Sequence, residues 1–508
     1  MGAAAVAAAA DGPARAGSRA GWGTLPGGLG IGWRPEIAGV VGGRADLGFT
    51  EVVAEALAPA DPSRGVTELR GRGVRVVPHG VRLSLGGTEP VDPARVTHLA
   101  ACAGAVDAPL VSEHVAFVRA GGREAGHLLP VPRTREALDV LAANVARTRA
   151  ELDVPLALEP IAALLDWPED EMGEGEFLTR LLDRTGALLL LDVANVHANA
   201  VNRGQDARAV LDTLPLDRVA YVHVAGGTER DGLYHDTHTA PTPDPVLALL
   251  RDLVDRLPAP PPVMLERDGR YPPAAALHAE LDRIRTAARL PFPVPTPASR
   301  RLSVRESAPE RARVDTPTPR VPRTDTASSA SGPASSAPRP ASSASGPASS
   351  APRPASSAPP HADAPRAAAG DLARREAALV AALVDDGDAP AGLDPGRLDA
   401  VRRALVRKRA GLAAGRWPRL AAATPDWEAV FAAHARPHGG APPGPLRDGW
   451  DVARALHDAG ALPRGAEAEL AEREATLRYD GRSAPRSRLR TAAAHSIGRW
   501  TGRWTGRA

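Results

Sequence analysis

Between about Leu29 and Glu266 the chain repeatedly passes through a short apolar, strand-like run and ends it on a residue able to ligate a metal. VRVVPH ends at His79, APLVSEH at Glu113 and His114, DVPLALE at Glu159, and ALLLLDVAN at Asp192 and Asn195. DRVAYVH ends at His223 and PPVMLE at Glu266, and an HDTH cluster between them holds Asp236 and His238. This pattern points to a parallel sheet closed on itself. In a (β/α)8 barrel the strands open onto one common face, so their C-terminal residues converge whatever their separation in sequence. One histidine or carboxylate at a strand end carries little weight, but a recurring series reads as a metal site.

The alternation extends over residues 24–290. GGLGIGW, LGFTEVV, VRVVPHG, APLVSEH, VPLALEP, ALLLLDV, RVAYVHV and PVMLERD are strand candidates, separated by helical stretches such as TREALDVLAANVARTRAEL and DPVLALLRDLVDRL. An α/β fold of TIM-barrel type is predicted there. Residues 1–23 are expected to be a disordered extension. They have neither a basic segment before the alanines, as a secretory signal would, nor the myristoylation pattern. Residues 291–370 are rich in Pro, Ser and Ala, and the unit ASSASGPASSAPRP at Ala327–Pro340 repeats at Ala341–Pro354. Such a tract cannot bury enough apolar surface to offset chain entropy and is predicted to be a disordered linker. Helical periodicity returns over 371–485, predicting a small all-α domain with Trp417, Trp427, Phe431 and Trp450 as core anchors. A basic tail with interleaved tryptophans closes the chain at 486–508.

The net charge of +2 implies no strong attraction to nucleic acid or to a membrane surface. No run approaches the length of a membrane-spanning helix, so a cytoplasmic protein is expected. Lys408 is the only lysine; all other basic side chains are arginine. The single cysteine, Cys102, excludes an intramolecular disulfide framework and any thiolate-rich metal site, and within HLAACAGAV it reads as a small core residue.

His79, His114, Glu159, Asp192, Asn195, His223, Asp236, His238 and Glu266 together offer nitrogen and oxygen donors without sulfur. Such a set suits iron, manganese or zinc. It is too large for one ion that keeps positions open for substrate, so two or three metals are expected, with Glu159 or Asp192 as bridges. Glu113 and His114 are neighbours on a strand and point to opposite faces, so only one can readily enter the barrel mouth. Glu51, Glu113 and Asn202 are candidates for supporting positions behind the ligands. His197, His235 and Asn199 read as structural as readily as functional.

HGVRLSL, VSEHVAFV, LALEP, LLLLDVANVHANAVNRG, YVHVAGG, YHDTHTAPTPDPV and MLERD, in that order over residues 24–285, resemble the DUF692 (UPF0276) family of multinuclear non-haem iron-dependent oxidative enzymes. The resemblance implies a TIM barrel with two or three irons at its strand C-termini. It also implies oxidative modification, with O2, of a ribosomally made peptide, often at cysteine and commonly with a partner protein that presents the peptide. Matched by motif, the nine residues above are the implied iron ligands. Pro160 stands where many relatives carry asparagine, Ala194 replaces an amide, and VAGG lacks a histidine common after AG. A two-iron core is the expectation, with a third position open. The C-terminal helical region resembles a domain fused to actinobacterial members of the family and ending in a similar RYDGRS motif. Two other readings stand beside this one: a zinc- or manganese-dependent isomerase or phosphodiesterase similar to the xylose isomerase and endonuclease IV type, and a non-catalytic scaffold.

Overall fold

A computed structural model of the chain describes residue 25 and residues 27–291, 364–385, 387–434, 444–481 and 485–487. The expected N-terminal extension, nearly all of the expected linker and most of the basic tail lie outside the described residues.

Eleven strands make up the first part: β1 (Leu29–Gly32), β2 (Leu47–Val53), β3 (Arg75–His79), β4 (Val111–Ala120), β5 (Arg123–Pro130), β6 (Leu156–Pro160), β7 (Leu188–Asp192), β8 (Val219–Val224), β9 (Thr228–Arg230), β10 (Leu233–His235) and β11 (Val263–Leu265). Eight of them are parallel neighbours in the order β3-β2-β1-β11-β8-β7-β6-β4, and a β3–β4 pairing closes the ring. The predicted barrel is therefore present. Strand β4 continues past the rim and folds back antiparallel through β5, and β9 and β10 form a second hairpin after β8. The helices on the barrel are α1 (Ala38–Gly43), α2 (Arg64–Gly71), α3 (Pro93–Val106), α4 (Arg135–Arg149), α5 (Glu174–Thr185), α6 (Val193–Arg203), α7 (Ala207–Thr213), α8 (Asp244–Arg256) and α9 (Ala274–Ala287).

The period of two along each strand builds the interior in layers. Phe49, Val77, Ala157, Leu190, Tyr221 and Met264 belong to one fully buried cluster inside the ring. Two residues further along the same strands stand Glu51, His79, Glu159, Asp192, His223 and Glu266. An apolar plug thus sits directly beneath a polar layer at the C-terminal rim. Crowding in the plug is tight enough that a Cβ on Gly30 would lie 2.7 Å from the Phe49 ring. The other strand faces carry Ile31, Val76, Val111, Leu158, Leu191 and Val222, which pack against the surrounding helices as the main core.

The C-terminal helices are α10 (Ala364–Val384), α11 (Pro395–Arg416), α12 (Pro418–Ala423), α13 (Trp427–His434), α14 (Pro445–Asp458) and α15 (Arg464–Thr476). Their apolar residues divide between two cores. Leu372, Leu379, Val380, Leu398, Val401 and Leu405 of α10 and α11 join the core of the barrel. Trp417, Leu420, Phe431, Trp450, Val452 and Leu470 form a separate core, with the Trp417 and Trp450 rings edge to face at 5.7 Å. The Tyr479 hydroxyl of the RYDGRS motif donates to Asp451 at 2.6 Å and ties the end of this core to α14. Among the described residues no helix is long and apolar enough to cross a membrane.

Candidate metal centre

The polar layer at the rim gathers the predicted ligands into three contiguous groups. His79, His114 and Glu159 form the first; Glu159, Asp192 and His223 the second; Asp192, His238 and Glu266 the third. Within each group one donor atom per residue lies within 4.8 Å of the others. Glu159 is shared by the first two groups and Asp192 by the last two. Strand register explains the adjacency, since Glu159 sits opposite His114 and Asp192 opposite His223 in the ladders.

Each ligand candidate is aimed by a second contact. His79 Nδ1 is 2.8 Å from the Ser112 hydroxyl, leaving Nε2 3.6 Å from Glu159 Oε2. His114 Nδ1 faces the Gly80 carbonyl at 3.1 Å, leaving Nε2 3.4 Å from Glu159 Oε2. The Glu113 carboxylate, on the opposite face of β4, accepts from the backbone N–H of His114 and of Leu83. Gly80 leaves room for this carboxylate: a Cβ there would lie 2.6 Å from Glu113 Oε2 and would have to displace it. His223 Nε2 is 2.9 Å from Glu51 Oε2, which turns Nδ1 toward Glu266 at 3.1 Å and Glu159 at 3.6 Å. Asp192 Oδ1 caps α6 by accepting from the N–H of Ala194 and of Asn195, while Oδ2 is left to the cage. The residue is at once helix cap and ligand candidate. His238 adopts φ +51°, a left-handed conformation uncommon for a residue with a side chain, and lies 2.6 Å from Asp236 and 3.2 Å from Asp268.

Other predicted residues are placed around this cage. The Asn195 amide donates to Glu159 and to the Pro160 carbonyl. Asn202 lies elsewhere: its amide exchanges two hydrogen bonds with the backbone of Tyr234 and fixes β10 to α6. Asn199 holds the Ala163 N–H and the Ile161 carbonyl, and His197 stacks edge-on against Tyr234. Ser112, Tyr221, Arg34 and Asp268 are contributors that sequence reasoning missed. Arg34 lies 2.5 Å from Asp268 and 3.7 Å from Glu266. Cys102 is buried in α3, and burial with the nearby Glu55 charge pushes its thiol up to about 11, so it takes no part.

The cage fits a set of cations. Glu159 Oε2, Asp192 Oδ2, Asn195 Oδ1, His223 Nδ1 and Asp236 Oδ1 are buried donor atoms without a hydrogen-bond partner. Buried polar atoms are normally satisfied, so this concentration of orphans at one place marks a binding site. Burial, aided by Asp236 and Glu159, raises the Asp192 pKa to about 8. Burial alone would lower the His114 pKa, but Glu159 and Glu113 beside it outweigh burial and raise it to about 9. His223 and His238 are likewise raised well above the usual value, against burial, by the carboxylates around them. In the absence of cations, protons on these groups offset the carboxylates, and bound cations would displace them.

Residues 28–289 match the family described as "RiPP precursor modification enzyme MbnB/TglH/ChrH", and residues 373–458 match the "SCO6045-like, C-terminal domain". A UPF0276 protein of Streptomyces avermitilis is 43% identical over 489 residues, covering 91% of this chain and 93% of that protein. A UPF0276 protein of Chromobacterium violaceum is 37% identical over 262 residues, covering 51% of this chain and 93% of that protein. The structure of an L-ribulose 3-epimerase covers 52% of this chain and 98% of its own at 15% identity and a TM-score of 0.36, too slight a likeness to bear on function. With the barrel and its cage in place, the match over residues 28–289 assigns the chain to the MbnB/TglH/ChrH family of RiPP precursor modification enzymes.

Proposed function

We propose that the barrel is an iron-dependent oxidase that uses O2 to modify a side chain, expected to be cysteine, of a ribosomally made peptide. The observation that carries this reading is the chain of three ligand groups linked through Glu159 and Asp192. We assign His79, His114, Glu159, Asp192, His223, His238 and Glu266 as ligands, with Asn195 and Asp236 completing the set through their orphaned oxygens. Bound iron would supply one-electron chemistry with O2 and a Lewis acid for the substrate sulfur. The protein's part is positional. Glu159 and Asp192, each shared by two groups, would hold neighbouring ions, and Glu51, Glu113 and Ser112 fix the imidazole rings. The apolar plug of Phe49, Tyr221 and Met264 excludes water from below.

A donor set of nitrogen and oxygen also suits zinc or manganese, which favours a divalent-metal isomerase or phosphodiesterase as the second reading. A partner protein that presents the peptide, and a cytoplasmic location, belong to the first reading. The two separate on oxygen. Protein purified anaerobically from iron-supplemented cells is mixed with cysteine-bearing peptides encoded beside its gene, then exposed to air. The oxidase reading expects O2 uptake and a changed peptide mass, both absent from Glu159→Ala. Turnover of a sugar or phosphodiester without O2 uptake, in zinc- or manganese-loaded protein, would replace it.

A further inference from the structure

Helices α10 and α11 cross the face of the barrel that carries the cage. Glu376 of α10 accepts from the N–H and the hydroxyl of Thr88, beyond β3, at 2.9 and 2.6 Å. Arg375 pairs with Glu169, beyond β6, and Asp385 receives Arg123 of β5 at 2.5 Å. Further along, Arg397 of α11 donates to the Asn202 carbonyl at the end of α6, and Arg403 donates to Asp231 in the β9–β10 turn at 3.1 Å. These partners all lie past the C-terminal ends of barrel strands, where the ligands also are.

Lys408 of α11 stands outside this pattern of pairing. Lys408 donates a single hydrogen bond, to the Gly126 carbonyl of β5 at 3.1 Å, and forms no ion pair with the described residues. Two of its three N–H donors are therefore uncommitted. The side chain is open to solvent. Desolvation lowers its pKa, and Asp268 and Arg82 are the charges that act on it. Gly126 belongs to the hairpin that extends β4, and Asp268 follows β11. In the ring of eight, β4 and β11 are opposite each other, with three strands between them on either side. The hydrogen bond to Gly126 places the ammonium at the rim on the β4 side, and Arg403 of the same helix reaches the β9–β10 turn. The neighbouring His127 is held neutral, at about 3, by burial and by the Lys408 charge, so it adds no cation of its own. Asp268 is already engaged by Arg34 and His238.

We propose that Lys408 is the anchor for a carboxylate carried by the peptide substrate, supplied to the barrel mouth by the helical module of the same chain. The proposal rests on the peptide-modifying reading above. A flexible ammonium with two uncommitted donors, held at the rim by its hydrogen bond to Gly126, is placed to bind a carboxylate.

Because Lys408 is the only lysine, acylation with an N-hydroxysuccinimide ester reports on this one side chain, apart from the N-terminal amine. Full-length, metal-loaded protein is acylated in the presence of a pool of cysteine-containing pentapeptides lacking Asp and Glu, either as free C-terminal acids or as amides. Acetate at equal concentration is the third arm. The free-acid pool is expected to slow acylation of Lys408, with little effect from amides or acetate. Lys408→Gln is expected to bind the acids about 10- to 100-fold more weakly, and Lys408→Arg to retain part of the affinity. Equal protection by acids and amides, protection by acetate as strong as by the peptides, or no protection would overturn the assignment. Lys408→Gln should keep the wild-type metal content, so a failure of the anchor is distinguishable from a failure of the metal centre.

Discussion

Glu51 and His223, on β2 and β8, are joined by a 2.9 Å hydrogen bond that decides which nitrogen of His223 faces the cage. The same Glu51 oxygen accepts from the Tyr221 hydroxyl at 2.7 Å, and Tyr221 is in turn 2.8 Å from Ser112, which is 2.8 Å from His79 Nδ1. Only one arrangement of protons satisfies every member when His79 Nε2 and His223 Nδ1 are to ligate. His79 Nδ1–H donates to Ser112, Ser112 to Tyr221, and both Tyr221 and His223 Nε2–H donate to Glu51. One chain of hydrogen bonds would thus set the tautomers of two candidate ligand histidines.

Tyr221→Phe breaks that chain while keeping the ring that plugs the barrel. Metal affinity is expected to fall about 10- to 100-fold, by analogy with other partners that orient metal ligands. The far-ultraviolet circular dichroism should be unchanged. Titration against a competing chelator measures the affinity, and an unaltered value would show that the chain does not orient the ligands.

Sharing of carboxylates predicts graded metal loss. Glu159 belongs to two ligand groups and His114 to one. Glu159→Ala should therefore reduce the metal content per chain more than His114→Ala. Glu266→Ala should remove metal from the third group while sparing the first. Elemental analysis of each purified variant checks this, and equal losses in all three would mean that the groups do not load as separate positions.

Glu376 makes the docking of α10 depend on pH. Burial is the main cause that raises its carboxyl to about 7 from the usual 4.5, although two hydrogen bonds from Thr88 oppose the rise. Between those values the folded protein holds a proton that the unfolded chain has released, so this group's contribution to stability is full below about 4.5 and is lost as pH rises through about 7. Gln at 376 keeps an acceptor for Thr88 without the charge. Glu376→Gln should match the wild type near pH 4.5 and exceed it at pH 8 by ~1–3 kcal/mol. Denaturant unfolding at the two pH values measures the difference; a gap that does not change with pH would contradict it.

Much of this was legible in the chain itself, for a physical reason. A ligand at the end of a parallel strand announces both its strand and its face, so His79, Glu159, Asp192, His223 and Glu266 could be placed without any tertiary information. The period of two also separated His114 from Glu113 correctly in kind, one in the cage and the other behind it. Ser112 and Tyr221 were not legible, because a serine and a tyrosine within apolar strands read as core. Their role comes from the neighbouring strands that bring His79 and Glu51 to them. Asn202 sits in a motif beside true candidates, yet the turn of α6 directs it to the Tyr234 backbone. The helical region read as a domain of its own, since amphipathic periodicity shows that a face is buried but not against what. Leu379 and Val401 bury theirs against the barrel.

Several metal ions sharing the cage through Glu159 and Asp192 would be visible in the metal content itself. Iron, zinc and manganese are counted per chain by elemental analysis of protein purified without oxygen from iron-supplemented cells. More than one iron per chain is expected, with a clear fall in Glu159→Ala and the fold retained. A single ion that persists in Glu159→Ala, or no bound metal, would contradict it.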